Sequence, residues 1–266
     1  MTQKDRALLR AIFDEAAELY DRARPGYPAA LFDDLAEVTP LRPGSRVLEI
    51  GPGTGQATLP LADRGYRVVA VELGADLAAV ARRKLAGFPN VEVVTAAFED
   101  WPLPAEPFDL VLAATAFHWI DPAVRVDKVA DALRPGGSLA TVTTHHVAGG
   151  DESFFTDVQT CYVRWDPDTP TDLTLKPATD IPTSHYGLDR SDRFGPPVLR
   201  RYEWDRSSTT TSYLELLLTY SGDRALEPKA QRNLLDCIAH LIDTNYGGQI
   251  TKHYLTELRV TPTIGS

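Results

Sequence analysis

The chain has 266 residues, 43% of them hydrophobic and 24% charged, enough to bury the core of one large domain. Its formal net charge of −10 excludes a nonspecific grip on nucleic acid phosphates, which needs clustered Lys and Arg. No stretch reaches the roughly 18 to 20 apolar residues that span a bilayer, and the two cysteines, Cys161 and Cys237, lie far apart without CxxC spacing. That pattern argues against a disulfide scaffold or a structural zinc site, so idle thiols and a soluble, cytoplasmic protein are expected.

Residues 4–23 place Leu8, Ile12, Ala16, Leu19 and Tyr20 at helical spacing. The helix must stop at Arg24, Pro25, Gly26, Tyr27 and Pro28, where two prolines and a glycine forbid continuation. A second helix is predicted over 29–38. From residue 46 to 135 strand and helix alternate. Strands are predicted over 47–50, 68–72, 91–95 and 108–113, with helices over 56–64, 75–85 and 124–133, and a fifth strand over 138–144. Continuous Val, Leu and Ala runs indicate parallel strands covered on both faces, and right-handed crossovers then give a doubly wound sheet. Residues 148–198 read as irregular chain with one helix around 153–165. A strand over 200–206, helices over 210–220 and 228–244, and a closing strand over 250–260 complete the chain. The organisation expected is a single domain over 1–266, with lid helices at 1–42, a ligand-binding core at 43–147, a cap inserted at 148–198, and the end of the sheet with cap helices at 199–266.

The chemistry concentrates after the first strand. Val47-Leu48-Glu49-Ile50 runs into Gly51-Pro52-Gly53-Thr54-Gly55-Gln56, where glycines let the backbone turn tightly and approach a ligand that a Cβ would repel. Glu49 sits at the end of that strand and Glu72 at the end of the second, where a carboxylate can accept both ribose hydroxyls of an adenosine-bearing cofactor. The dinucleotide fingerprint G-x-G-x-x-G fails at its sixth position, Gln56. His118 falls just past the fourth strand, at the sheet edge where ligands of such folds collect. Three roles stay open for it: proton acceptor, orienting group or structural residue. His145 and His146 are neighbours on a strand and point to opposite faces, which rules against a shared metal and leaves His145 to face the substrate cleft.

With these motifs the sequence resembles the class I S-adenosylmethionine-dependent methyltransferases. The likeness is carried by E-I-G-P-G-T-G at 49–55, V-E-L at 71–73, F-E-D-W at 98–101, F-D-L-V-L-A-A-T-A-F-H-W at 108–119 and L-R-P-G-G at 133–137. It looks more narrowly like a small-molecule group with Y-x-x-x-R-P-x-Y-P before the sheet, here Tyr20, Arg24, Pro25, Tyr27 and Pro28, and with His118-Trp119 after the fourth strand. The likeness covers about residues 10–145 and extends through 213–220 and 254–260.

This resemblance implies a Rossmann-like, seven-stranded, mostly parallel sheet with helices on both faces, an N-terminal helical lid and an inserted cap. It implies S-adenosylmethionine as cofactor and a small molecule as acceptor, methylated at an oxygen by in-line displacement, with no metal. Gly51, Gly53 and Gly55 would pass beneath the methionine and ribose parts. Glu49 would take the amino group, Arg24 the carboxylate and Glu72 the ribose hydroxyls. Leu73 would pack on the adenine, and Ala97 and Phe98 would edge it, Ala97 standing where an aspartate is common. Ala114 would offer its carbonyl to the amino end. Tyr20 and Tyr27 would close the lid, Tyr27 and Trp119 also bounding the substrate pocket. A nicotinamide-dependent oxidoreductase and a non-catalytic S-adenosylmethionine binder are the alternative readings. The sequence assigns neither the acceptor nor the oligomeric state.

Overall fold

A sheet with helices on both sides organises the chain. The computed structural model describes residues 16–166, 169–170 and 174–264; the helical turns expected around Leu8 and Ile12 lie outside them. Helix α1 (Ala17–Ala23) ends at Arg24, whose backbone is extended as the following Pro25 requires. Pro28 precedes α2 (Ala29–Val38), which buries Leu31, Phe32 and Leu35. Then β1 (Arg46–Ile50), α3 (Thr58–Asp63), β2 (Arg67–Glu72), α4 (Ala75–Lys84), β3 (Val91–Thr95), β4 (Phe108–Ala114), α5 (Arg125–Ala132) and β5 (Leu133–Gly150) follow. The second half supplies α6 (Glu152–Asp157), α7 (Gln159–Trp165), β6 (Val198–Thr209), α8 (Thr210–Leu217), α9 (Ser221–Arg224), α10 (Pro228–Asn245) and β7 (Gln249–Pro262).

The seven strands lie in the order β3-β2-β1-β4-β5-β7-β6. β7 is antiparallel to both its neighbours, and the pairs among β1 to β5 are parallel. The chain winds outward from β1 to β3 and then returns to place β4 on the other side of β1, so a crevice opens at the carboxyl ends of β1 and β4. The central strands β1, β2 and β4 are largely apolar and buried because both of their faces are covered. Leu31, Leu35 and Leu61 of α2 and α3 pack on Val47, Leu110 and Leu112, while Val129 and Ala130 of α5 pack on Leu48, Val111 and Leu139. The doubly wound, mostly parallel sheet read from the sequence is the one observed.

Three details differ from the sequence reading. The fifth strand is much longer than 138–144, because β7 offers an antiparallel ladder from Ser138 to His146 and again at Gly150, and Leu133 pairs with Phe108. The single helix around 153–165 is two short ones, α6 and α7. The remainder of the inserted segment divides: Tyr186, Leu188 and Phe194 join the core on the α5 side, whereas Phe154, Phe155 and Cys161 pack with Tyr213, Leu234 and Ile238 of α8 and α10.

The idle-thiol expectation is corrected. Cys161 of α7 and Cys237 of α10 form a disulfide with their Cα atoms 5.8 Å apart, across a sequence separation of 76. Two helices from distant segments share one core there, and chain spacing carries no trace of such an encounter. Replacing both cysteines by Ala is expected to lower the unfolding free energy by about 2–4 kcal/mol. Thermal unfolding of wild type and variant under non-reducing conditions measures it, and superimposable curves would remove the bond from the stability of the cap helices.

Candidate active site

Two adjoining cavities occupy the crevice at the carboxyl ends of β1, β2 and β4. The larger, about 340 Å³, is walled by Gly53, Glu72, Leu73, Phe98, His118 and Trp119. The smaller, about 90 Å³, lies against Tyr27, Glu49, Thr144, His146 and Tyr254. Tyr20, Arg24, Gly51, Ala114, Thr115 and Tyr220 border both.

The glycine loop leaves β1 in a conformation that L side chains rarely adopt. Gly51 has φ +66° and Gly53 φ +59°, and a Cβ on Gly51 would lie 2.7 Å from the Cβ of Ala116. The Gly51 N–H donates to the Val71 carbonyl at 2.9 Å, anchoring the turn to β2. Glu72, 7% exposed, then gathers the loop. Its Oε2 accepts the Gly53 N–H and its Oε1 the Gly74 N–H, both at 2.9 Å.

Glu49 is 1% exposed, and its Oε2 is a buried oxygen with no hydrogen-bond partner. Burial pushes its pKa up to about 7; the Thr58 hydroxyl pulls down and the Glu72 charge pushes up. A buried carboxyl in that condition is poised to take a positive donor.

Helix α1 and the turn after it are tied down on both sides. Arg22 pairs with Glu215 of α8 at 2.9 Å, and the Thr54 hydroxyl donates to Asp21 at 2.8 Å. Arg24 donates to the Thr219 carbonyl at 2.7 Å. Its guanidinium carbon lies 5.1 Å from the Tyr20 ring centre and 4.3 Å from that of Tyr220. Thr115, the first residue after β4, has φ +55°, a costly conformation for a β-branched residue. Its N–H donates to the Val142 carbonyl at 2.8 Å and its hydroxyl shares a 2.9 Å hydrogen bond with that of Tyr27.

His118 sits in a single 3₁₀ turn over Phe117–Trp119, with its ring centre 4.9 Å from that of Trp119. Enclosure by the protein, followed by the Arg125 charge, holds its pKa below the ordinary value, so the imidazole is neutral at pH 7. His146 has its Nε2 3.3 Å from the Tyr220 hydroxyl. Burial, then Lys252, Arg24 and His145, push its pKa down to about 3.

The crevice thus collects Tyr20, Arg24, Tyr27, Glu49, Gly51, Gly53, Glu72, Leu73, Phe98, Ala114, His118 and Trp119 from the residues singled out in the sequence. Three others stand apart. Gly55 borders neither cavity; with φ +90° it turns the chain into α3, and a Cβ there would meet Leu85 at 3.2 Å. Ala97 is passed over, since Ala96 and Phe98 form the wall and its carbonyl accepts the Asp100 and Trp101 N–H groups. His145 is corrected as well: it lies beyond both linings and feels the charges of Glu257 and Arg201, while His146 on the opposite face of β5 borders the smaller cavity. Alternation separates the two histidines but does not say which of them faces inward. Thr115 and Tyr220 lie within the stretches that carry the resemblance but were not singled out as site residues. Among the described residues no group of three or more His, Cys, Asp or Glu side chains is arranged to hold a metal, and no helix is long and apolar enough to cross a membrane.

Comparison with known proteins agrees with this architecture. A family model described as a methyltransferase domain matches residues 47–137. An uncharacterised methyltransferase of Mycobacterium bovis is 39% identical over 130 residues, 49% of this chain and 51% of its own length. One from Geobacillus kaustophilus is 32% identical over 142 residues, 50% of this chain and 65% of its own. The chain therefore spans about half the length of the M. bovis relative. Among solved structures, a protein of Anaeromyxobacter dehalogenans, named provisionally as a type II methyltransferase, aligns with TM-score 0.57 and 26% identity over 89% of this chain and 97% of its own. A Haemonchus contortus N-methyltransferase, solved with phosphomonomethylethanolamine and S-adenosylhomocysteine, aligns with TM-score 0.53 and 18% identity over 95% of this chain and 58% of its own, a likeness of fold alone. The matched methyltransferase domain at residues 47–137 thus lies across β1 to β4 and the glycine turn pinned by the acid at the end of β2.

Proposed function

We propose that the chain transfers a methyl group from S-adenosylmethionine to an oxygen of a small molecule held between the sheet edge and the cap helices. The observation that carries this reading is the Glu72 carboxylate at the end of β2, fixed by the Gly53 and Gly74 N–H groups of the glycine turn and lining a cavity of about 340 Å³. The lining fits the cofactor. A glycine whose Cβ would collide, a buried Glu49 oxygen without a partner and a guanidinium suit a ribose, an ammonium and a carboxylate respectively. Glu72 would hold the ribose hydroxyls, Leu73 and Phe98 the adenine, and Glu49, the Ala114 carbonyl and Arg24 the amino-acid end. The bound cofactor supplies a methyl carbon already activated by a sulfonium.

The protein's contribution is placement and exclusion of water. Tyr20, Arg24 and Tyr220 close the crevice over the glycine loop. Thr115, held in its costly conformation by the Tyr27 hydroxyl, sets the floor between the cavities. The neutral His118 imidazole orients the acceptor, and accepts its proton where the acceptor carries one. Cytoplasmic residence, expected from the sequence, is kept as a proposal; the bonded cysteine pair weighs against it.

Calorimetry with S-adenosylmethionine and S-adenosylhomocysteine tests the reading, together with transfer of labelled methyl to a panel of small molecules. Binding of neither compound would end it. His118→Ala is expected to leave cofactor affinity intact and to slow turnover about tenfold or more; unaltered turnover would leave the histidine no part in the reaction.

A further inference from the structure

We propose that Arg125 and Tyr186 are positioning residues for His118, and that the chain around Tyr186, inserted after β5, sets the orientation of the imidazole in the wall of the larger cavity. The inference rests on the part given to His118 in methyl transfer and goes beyond it by naming what holds the ring. His118 stands in a single 3₁₀ turn, closed by the Trp119 N–H donating to the Ala116 carbonyl at 2.9 Å and carrying no side-chain cap. A lone turn gains little from its own hydrogen bonding, so its orientation comes from what packs on it. Phe117, the residue before the histidine, is 1% exposed. The Tyr186 ring meets it edge-on with ring centres 5.3 Å apart, and the Tyr186 hydroxyl shares a 2.9 Å hydrogen bond with that of Thr143 on β5. Arg125, the first residue of α5, joins the two aromatic residues. Its guanidinium donates to the Tyr186 carbonyl at 2.8 Å and reaches the Phe117 carbonyl at 3.5 Å. The guanidinium carbon lies 5.2 Å from the Phe117 ring centre and 5.5 Å from that of Tyr186.

The chain that carries Tyr186 is fastened on either side of it. The Ser184 N–H donates to the Glu257 carboxylate of β7 at 3.3 Å. Arg259 of β7, 2% exposed, pairs with Asp189, and Leu188 is buried in the same core as Phe117. Between these anchors Tyr186 adopts φ +54°, a left-handed backbone rare for an aromatic residue, and Gly187 follows at φ +84°. A residue other than glycine stays in that region only where its surroundings over-determine it. Here the turn lets one residue give its ring to Phe117, its carbonyl to Arg125 and its hydroxyl to Thr143. The planar fork of Arg125 suits a bridge between two carbonyls, and an ammonium does not reproduce it. Tyr186 lies well beyond the methyltransferase domain matched at 47–137. The histidine thus belongs to the matched domain, while part of its support comes from the inserted segment. A reacting constellation is only as exact as the side chains that back it.

The test uses the full-length protein carrying isotope-labelled histidine, with the His118 ring signal in the magnetic resonance spectrum identified by its loss in His118→Ala. Wild type should give one sharp His118 signal, with and without S-adenosylhomocysteine. Tyr186→Ala and Arg125→Lys should each shift and broaden it. Affinity for S-adenosylhomocysteine should stay unchanged in both, because neither side chain borders either cavity. Tyr186→Phe, which keeps the ring against Phe117 and loses only the hydroxyl, should recover most of the wild-type signal. Should Tyr186→Ala fail to fold, Arg125→Lys, which keeps the charge, gives the same reading. In labelled-methyl transfer to the panel of small molecules, Arg125→Lys should slow turnover toward the level of His118→Ala, about tenfold below wild type, and the double variant should be no slower than His118→Ala alone. A lowered melting temperature around an unmoved His118 signal would make the contacts merely structural and overturn the assignment, as would additive losses of rate in the double variant. Protein that fails to bind S-adenosylhomocysteine would overturn the methyltransferase reading and this inference with it, whereas an unmoved signal in protein that binds it overturns the positioning alone.

Discussion

Replacing Glu72 with Ala is expected to weaken S-adenosylmethionine binding about 100-fold or more while costing the fold only about 1–2 kcal/mol. The first figure follows from two charge-assisted hydrogen bonds to ribose hydroxyls, each worth about 1.5–3 kcal/mol. The second follows from the partners left behind. The Gly53 and Gly74 N–H groups lose their carboxylate, but Gly53 and Gly74 line the larger cavity, where water replaces it. The carboxylate proposed to receive the ligand also shapes the loop beneath it. Glu72→Gln should therefore fall between the two, keeping an acceptor oxygen and losing the charge. Titration calorimetry and thermal unfolding on the same samples separate the effects. An unchanged dissociation constant for the Ala variant would take Glu72 out of the site, and a collapse of the fold at wild-type affinity per folded molecule would make it a structural residue.

Glu49→Gln should do the opposite to stability and the same to binding. The carboxyl is buried and one of its oxygens lacks a partner, and its pKa is raised from 4.5 to about 7. Ionisation is therefore harder in the folded chain than in the unfolded one. The folded state binds the extra proton between those two values, so wild-type stability falls as pH rises from about 4.5 through 7 and stays low above it. The Gln variant lacks that slope. It should match wild type near pH 5 and exceed it at pH 8 by about 2–3 kcal/mol, seen as a higher melting temperature. Cofactor affinity runs the other way. An ammonium needs the ionised carboxyl, so wild-type affinity should drop by up to about tenfold per unit below pH 7, and the Gln variant should bind weakly at every pH. Equal affinities at pH 6 and pH 8, with no stabilisation in the variant, would show that Glu49 meets no positive group.

These two acids also mark how far local reading reaches. Glu49 and Glu72 end apolar strands, and glycines follow the first of them; strand, turn and acid are consecutive in the chain, so their geometry is encoded locally. Gly51 and Gly53 were legible for the same reason, since a positive φ beside a close neighbour needs glycine. Gly55 is less legible, because a third glycine in the loop looks the same whether it faces a ligand or Leu85. Ala97 lies between the cavity-lining Ala96 and Phe98, in a short stretch after β3 with no periodicity to fix its phase. For His145, strand alternation assigns opposite faces to two adjacent histidines without saying which of them borders the crevice, and the packed fold places His146 there.

Sequence alone determined the doubly wound sheet, the strand that begins it, and the cavity-lining ends of β1, β2 and β4, because apolar runs, prolines and glycine turns act over a few residues. Tertiary structure alone decided the rest. Arg24 reaches the Thr219 carbonyl across a sequence separation of 195 and lies against the Tyr220 ring, His146 turns inward, and Cys161 meets Cys237. Each of these depends on how separately formed helices and strands share one buried core, and burial is a property of the whole packed chain rather than of any stretch of it.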